Sequence, residues 1–216
     1  MADGGRLFFE VFPTIKVNKD LELLFAKTIV KKVTTSSEGD RLCVCILSDH
    51  LIDYVAVKKM SEIIKSTLFA DRNMTVSILQ RYELPDNYDL PAVMSVYKDS
   101  ILEELKDKDH LIAIAFKNAD ISYRDGRIMH LVIPDTRTNR SSEDKLISIL
   151  EKILTERCGV DCIIETEYKE DDRISKHKAA DEAKIARKIA QIAAQAHIST
   201  VYSQVEGTED EQIVPE

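Results

Sequence analysis

Residues Asn118–Ile133 read NADISYRDGRIMHLVI. Two strand-like stretches flank Asp125-Gly126, a dipeptide that marks a tight hairpin because both residues tolerate positive φ. A helix-period segment follows from about Ser142, with Leu146, Ile149, Leu150, Ile153 and Leu154 on one face. Ser141 and Asp144 have the spacing of a capping box at its start. GVDCIIETEYK (Gly159–Lys169) then reads as a third strand. The order is β-β-α-β.

The same order occurs upstream. KKVTTSSEGDRLCVCIL (Lys31–Leu47) reads as two strands around a turn at Gly39, with Leu42, Val44 and Ile46 alternating. A helical period from roughly Asp53 to Phe69 lines up Val57, Met60, Ile64 and Leu68. MTVSILQRYEL (Met74–Leu84) closes the unit as a strand. Gly39 matches Gly126, Ile63 matches Ile149 and Tyr82 matches Tyr168, at offsets of 87, 86 and 86. A near-constant offset through three elements favours duplication over coincidence. A helix precedes each unit, a short one around Lys19–Ala26 and a long one around Pro91–Asp107. The long one is entered through a capping Asp89 and an early proline.

The expected fold class is therefore α+β: two tandem small modules of (α)ββαβ layout, KH-like in topology, followed by a helical linker. The boundaries read as 1–28 for an aromatic segment and short helix, 29–84 for the first module and 85–172 for the second. Residues 173–216 form an Ala/Lys-rich helix and an acidic tail.

Composition sets outer limits. The chain has 216 residues, 44% apolar and 31% charged, which suits a soluble globular protein. No apolar run approaches the ~20 residues of a membrane helix, and Asp3 and Glu10 interrupt any signal peptide. A cytoplasmic monomer without membrane attachment is the expectation. A net charge of −8 argues against general nucleic-acid binding, which depends on Lys and Arg releasing counterions. The local exception is Arg173–Lys188, where six Lys/Arg face two Asp/Glu. Lys184, Arg187 and Lys188 are the candidate nucleic-acid contacts there, although a solvated linker helix is the favoured reading.

The sequence carries no recognisable catalytic signature. The cysteine pairs Cys43/Cys45 and Cys158/Cys162 have neither zinc-ribbon nor zinc-finger spacing, and buried thiols are expected. No G-x-x-x-x-G-K, G-x-G-x-x-G or G-x-S-x-G occurs. No cofactor or metal is expected, and no catalysis by this chain alone. A KH-type clamp needs a G-x-x-G loop to bring phosphate against the main chain. Neither Asp49–Met60 nor Pro134–Ile147 contains a glycine. This shifts the expectation from nucleic acid to protein binding. DTRTNRSS (Asp135–Ser142) reads as a polar loop holding Arg137 and Arg140.

LFFEVFPT (Leu7–Thr14), DHLIDY (Asp49–Tyr54), RYEL (Arg81–Leu84) and DSILEEL (Asp99–Leu105) run in an order and spacing that resembles the N-terminal region of PolC-type DNA polymerase III, the replicative polymerase of low-GC Gram-positive bacteria. The resemblance spans roughly Arg6 to Lys169 and ends before the OB-fold of that family. It implies the non-catalytic front end of an enzyme whose full chain is a DNA-directed DNA polymerase with 3′–5′ exonuclease activity. Contacts inside the bacterial replisome are implied, with the clamp-loader tau subunit as partner. The alternative is a KH-like module binding single-stranded nucleic acid.

The aromatic N-terminus has two readings. If Leu7–Phe12 is a strand, Phe8 and Phe12 face outward and form a candidate protein-docking patch. In the favoured reading these rings pack on the first module, where each buried Phe contributes ~1.5–3 kcal/mol.

Overall fold

Alternation of small apolar residues builds the first sheet. In the computed structural model, which describes residues 4–170 and 182–189, strand β1 is Arg6–Leu7, β2 Ile29–Thr35, β3 Arg41–Ser48 and β4 Thr75–Tyr82. They lie side by side in that order. β2 and β3 are antiparallel, while β4 returns parallel to β3 after helix α3 (Tyr54–Leu68). Val57, Met60 and Ile64 are the buried stripe of α3, as the helical period requires.

The aromatic N-terminus differs from the strand expectation. Only Arg6–Leu7 is extended, and Phe8–Val11 forms one helical turn, α1. Phe8 N–H donates to the Thr28 carbonyl at 2.9 Å, which ends the pairing of β1. The turn places the Phe8 ring 5.1 Å from Phe12 and 4.9 Å from Phe25 of α2 (Lys19–Phe25). Gly5 makes this entry feasible, because a Cβ there would sit 2.2 Å from Ile29 Cγ2 and 2.7 Å from the Val30 carbonyl oxygen.

The second sheet repeats the plan with β5 (Asp120–Arg124), β6 (Ile128–Pro134) and β7 (Ile163–Lys169). Its hairpin is the one read from Asp125-Gly126. Both residues have positive φ, 52° and 68°, and Arg127 N–H closes the turn onto the Arg124 carbonyl. β7 is parallel to β6. Before this sheet run α4 (Leu90–Lys108) and α5 (His110–Lys117). Asp89 caps α4 by accepting from Ala92 N–H at 2.9 Å. Helix α5 was not anticipated, because HLIAIAFK shows no clean period.

Helix α6 (Arg137–Glu151) starts earlier than its apolar stripe implies. Thr136 is the cap, accepting from Asn139 N–H at 3.1 Å, so the segment read as a polar loop is the first two turns of a helix. Arg140 there forks onto Asp135 at 2.7 and 2.8 Å and lies 4.4 Å over the Tyr168 ring. The helix ends in a π-helical turn, Lys152–Arg157.

Residues 1–169 form one compact unit and 170–216 another. The described part of the second is a helix over 182–189, with Ile185 and Ile189 exposed. The acidic tail lies outside the described residues.

Candidate functional site

Two features stand out where the modules meet: a buried polar network and a groove beside it. Tyr82 ends β4 with its hydroxyl buried. That hydroxyl donates to the Ile52 carbonyl at 3.0 Å and accepts from Ile52 N–H at 3.2 Å. Tyr97 of α4 lies alongside, with hydroxyls 3.3 Å apart, and donates to Gln80 Oε1 at 3.2 Å, an oxygen that also lies 3.0 Å from the Tyr82 hydroxyl. Burial first, then Tyr97, pushes the Tyr82 phenol far above its ordinary range. It therefore stays a neutral hydrogen-bonding group.

The network continues into charge. Arg157, on the π-helical turn, forks onto Glu104 of α4 at 2.6 and 2.9 Å. Lys108 joins Glu104 at 2.8 Å. The Glu104 side chain is 4% exposed and that of Arg157 18%. Burial pushes the Glu104 carboxyl up, but Arg157 and Lys108 outweigh it and hold the group below the usual carboxylate range. Planar, bidentate pairing of this kind suits arginine and not lysine.

The groove has a volume of about 750 Å³ and is lined by both modules. Leu47 pairs with Arg81 and Cys45 with Leu79 across β3 and β4, so these four share the sheet face opposite Ile46 and Gln80. Leu79 is 57% exposed there. Ile149 and Lys152 of the second module's helix line the opposite side. Arg81 Nε reaches the Glu156 carbonyl at 3.5 Å. A bulge between Val30 and Lys32 brings Lys31 into the lining. Sequence reading missed this groove, because its two sides are about 70 residues apart and only the tertiary packing joins them.

The sequence-derived candidates lie elsewhere. Phe8 is 0% exposed and Phe12 6%, so the outward docking patch is corrected to a core contact. The helical turn and the close Phe25 ring are the physical reason. Lys184, Arg187 and Lys188 are exposed on the 182–189 helix, at spacings that share one face.

One constellation has the composition of a catalytic triad without its geometry. Ser48 Oγ and Asp49 Oδ1 lie 3.1 and 2.7 Å from His50 Nδ1. Nε2 is engaged by the Leu24 carbonyl at 2.9 Å. A triad needs the serine and the carboxylate on opposite ring nitrogens, and here both meet the same one. The thiols are also quiet: burial, then Cys43, raises Cys45, and burial lifts Cys158 to about 12. Among the described residues no group of three or more His, Cys, Asp or Glu converges as a metal site. No described helix is long and apolar enough to cross a membrane.

Comparison with known families bears out the resemblance read from LFFEVFPT and DHLIDY. Residues 7–78 match the family described as DNA polymerase III polC-type N-terminus I. Over these residues, about a third of the 216, the chain is similar to the PolC-type N-terminal region. That ties it to DNA replication. No curated protein matches the chain. The PolC-type match runs from the aromatic entry to Ile78 of β4. It thus takes in Cys45 and Leu47 of the groove, while Leu79, Arg81 and the opposite side lie beyond it.

Proposed function

We propose that the chain is a non-catalytic protein-interaction module of the replisome, with the clamp-loader tau subunit as the first partner to test. Polymerase and exonuclease chemistry in this reading belongs to other parts of full-length PolC-type chains. The observation that carries it is the groove at the module junction, which exposes Leu79 beside cationic side chains and has Cys45 and Leu47 of the PolC-type match on its sheet side. Exposed aliphatic surface rimmed by charge is the usual form of a protein contact. The test is titration of the full chain against purified tau by calorimetry. Saturable one-to-one heat supports the reading, and no heat at high micromolar concentrations removes tau as partner.

A second reading keeps one observation of its own. Lys184, Arg187 and Lys188 share an exposed helical face, which suits phosphate contacts on single-stranded nucleic acid. Reversing all three to Glu should then abolish oligonucleotide binding at low salt. Unchanged binding sinks that reading.

A further inference from the structure

We propose that the groove at the module junction takes an acidic peptide segment with an aliphatic anchor. This names the chemistry of the partner and rests on the reading of the chain as a protein-interaction module. Charge selects the peptide. The groove is lined by five basic side chains and two carboxylates, on a chain whose net charge is −8. Lys108 and Arg157 are already engaged by Glu104. Arg81 and Lys152 have no carboxylate within ion-pair distance among the described residues and stand on opposite sides of the cleft. Carboxylates placed between them gain attraction from both walls.

The floor selects the anchor. Leu79 is 57% exposed, and Leu47, Cys45 and Ile149 flank it. Burying an aliphatic side chain on this floor is worth ~1.5–3 kcal/mol. Among the described residues no aromatic side chain lines the groove. Single-strand nucleic-acid channels rely on aromatic platforms for base stacking, so cations over an aliphatic floor fit an acidic peptide better than an oligonucleotide.

The test uses the full chain and a fluorescein-labelled peptide, Glu-Asp-Leu-Leu-Glu-Asp, read by anisotropy and by amide shifts of isotope-labelled protein. Shifts should centre on Leu79, Arg81 and Lys152, and affinity should fall as salt rises. Arg81→Glu with Lys152→Glu should weaken binding about tenfold or more, while Lys59→Glu with Lys65→Glu on α3 leaves it unchanged. Circular dichroism melts of both variants establish that they fold. Equal binding of the peptide with Gln and Asn for its acids, or with Ala for its leucines, overturns the proposal. So does the absence of groove shifts at millimolar peptide, or a thymidine oligonucleotide that shifts the same residues more strongly. Tau binding that survives the Arg81/Lys152 reversal keeps the replisome reading and removes this one. Peptide binding without tau binding does the converse.

Discussion

Glu104 shows how one carboxylate can hold the π-helical turn against α4. Its fork with Arg157 is almost wholly out of water, so removing one partner strands the other charge. Glu104→Gln should destabilise the chain by about 3 kcal/mol, read as a lower urea midpoint at pH 7. The acid limb carries a second signature. The folded carboxyl titrates below its unfolded value of about 4.3, so its contribution is whole above that pH. It disappears as pH falls through the depressed folded value. Wild type should therefore lose stability more steeply below about pH 4 than Glu104→Gln, and parallel curves would refute the assignment. Phe8 makes the complementary case. It touches Phe9, Phe12 and Phe25 and is fully buried. Phe8→Ala should cost about 3–5 kcal/mol through the cavity it leaves, lowering the urea midpoint. A shift under 1 kcal/mol, about a third of that range's lower bound, would reopen the docking role.

At the scale of elements, the π-helical turn is the piece that aims Arg157. A π-turn holds one more residue than the matching α-turn, and each residue advances an α-helix by about 100°. Deleting exposed Thr155 should return Lys152–Arg157 to α-geometry and swing Arg157 away from Glu104. The expected loss is again about 3 kcal/mol. Adding Glu104→Gln to the deletion should then cost little more, because the pair is already broken. Full additivity would show that the π-turn does not aim the arginine. Such a turn was not legible in the sequence, since LISILEKIL continues an ordinary apolar stripe across it. The hairpin at Asp125-Gly126 was legible because its φ requirement is local and residue-specific. α6 was misjudged at its start, where Arg137–Ser142 is polar on every side and only the Thr136 cap announces the helix. Phe8–Val11 was misread because a two-residue strand precedes it and period-two and helical spacing cannot be separated over four residues.

At the scale of the whole molecule, the family match and the folding unit have different lengths. The match stops at residue 78, yet the compact unit runs to Lys169. Helix α4 explains the difference. Ser100 Oγ accepts from Tyr54 N–H at 2.8 Å, Asp107 accepts from Tyr54 and Lys58, and Tyr97 completes the Tyr82 network. The repeated strand–strand–helix–strand order is thus two sheets sharing one intervening helix, and the shared contacts leave no signal in either repeat alone. Because Val93, Tyr97, Ile101 and Leu105 are buried in the common core, residues 1–84 taken by themselves expose the surface that α4 covers and lose Tyr97 beside Tyr82 and Ser100 and Asp107 beside Tyr54. Thermal unfolding of the full chain should show a single transition for residues 1–169, with probes at Tyr82 and at Tyr168 melting together. The excised 1–84 piece should show no cooperative transition at 25 °C. If it melts cooperatively, with a midpoint near that of the full chain, the two modules are independent domains, and the Tyr82–Tyr97 contact orients them without contributing to the stability of either.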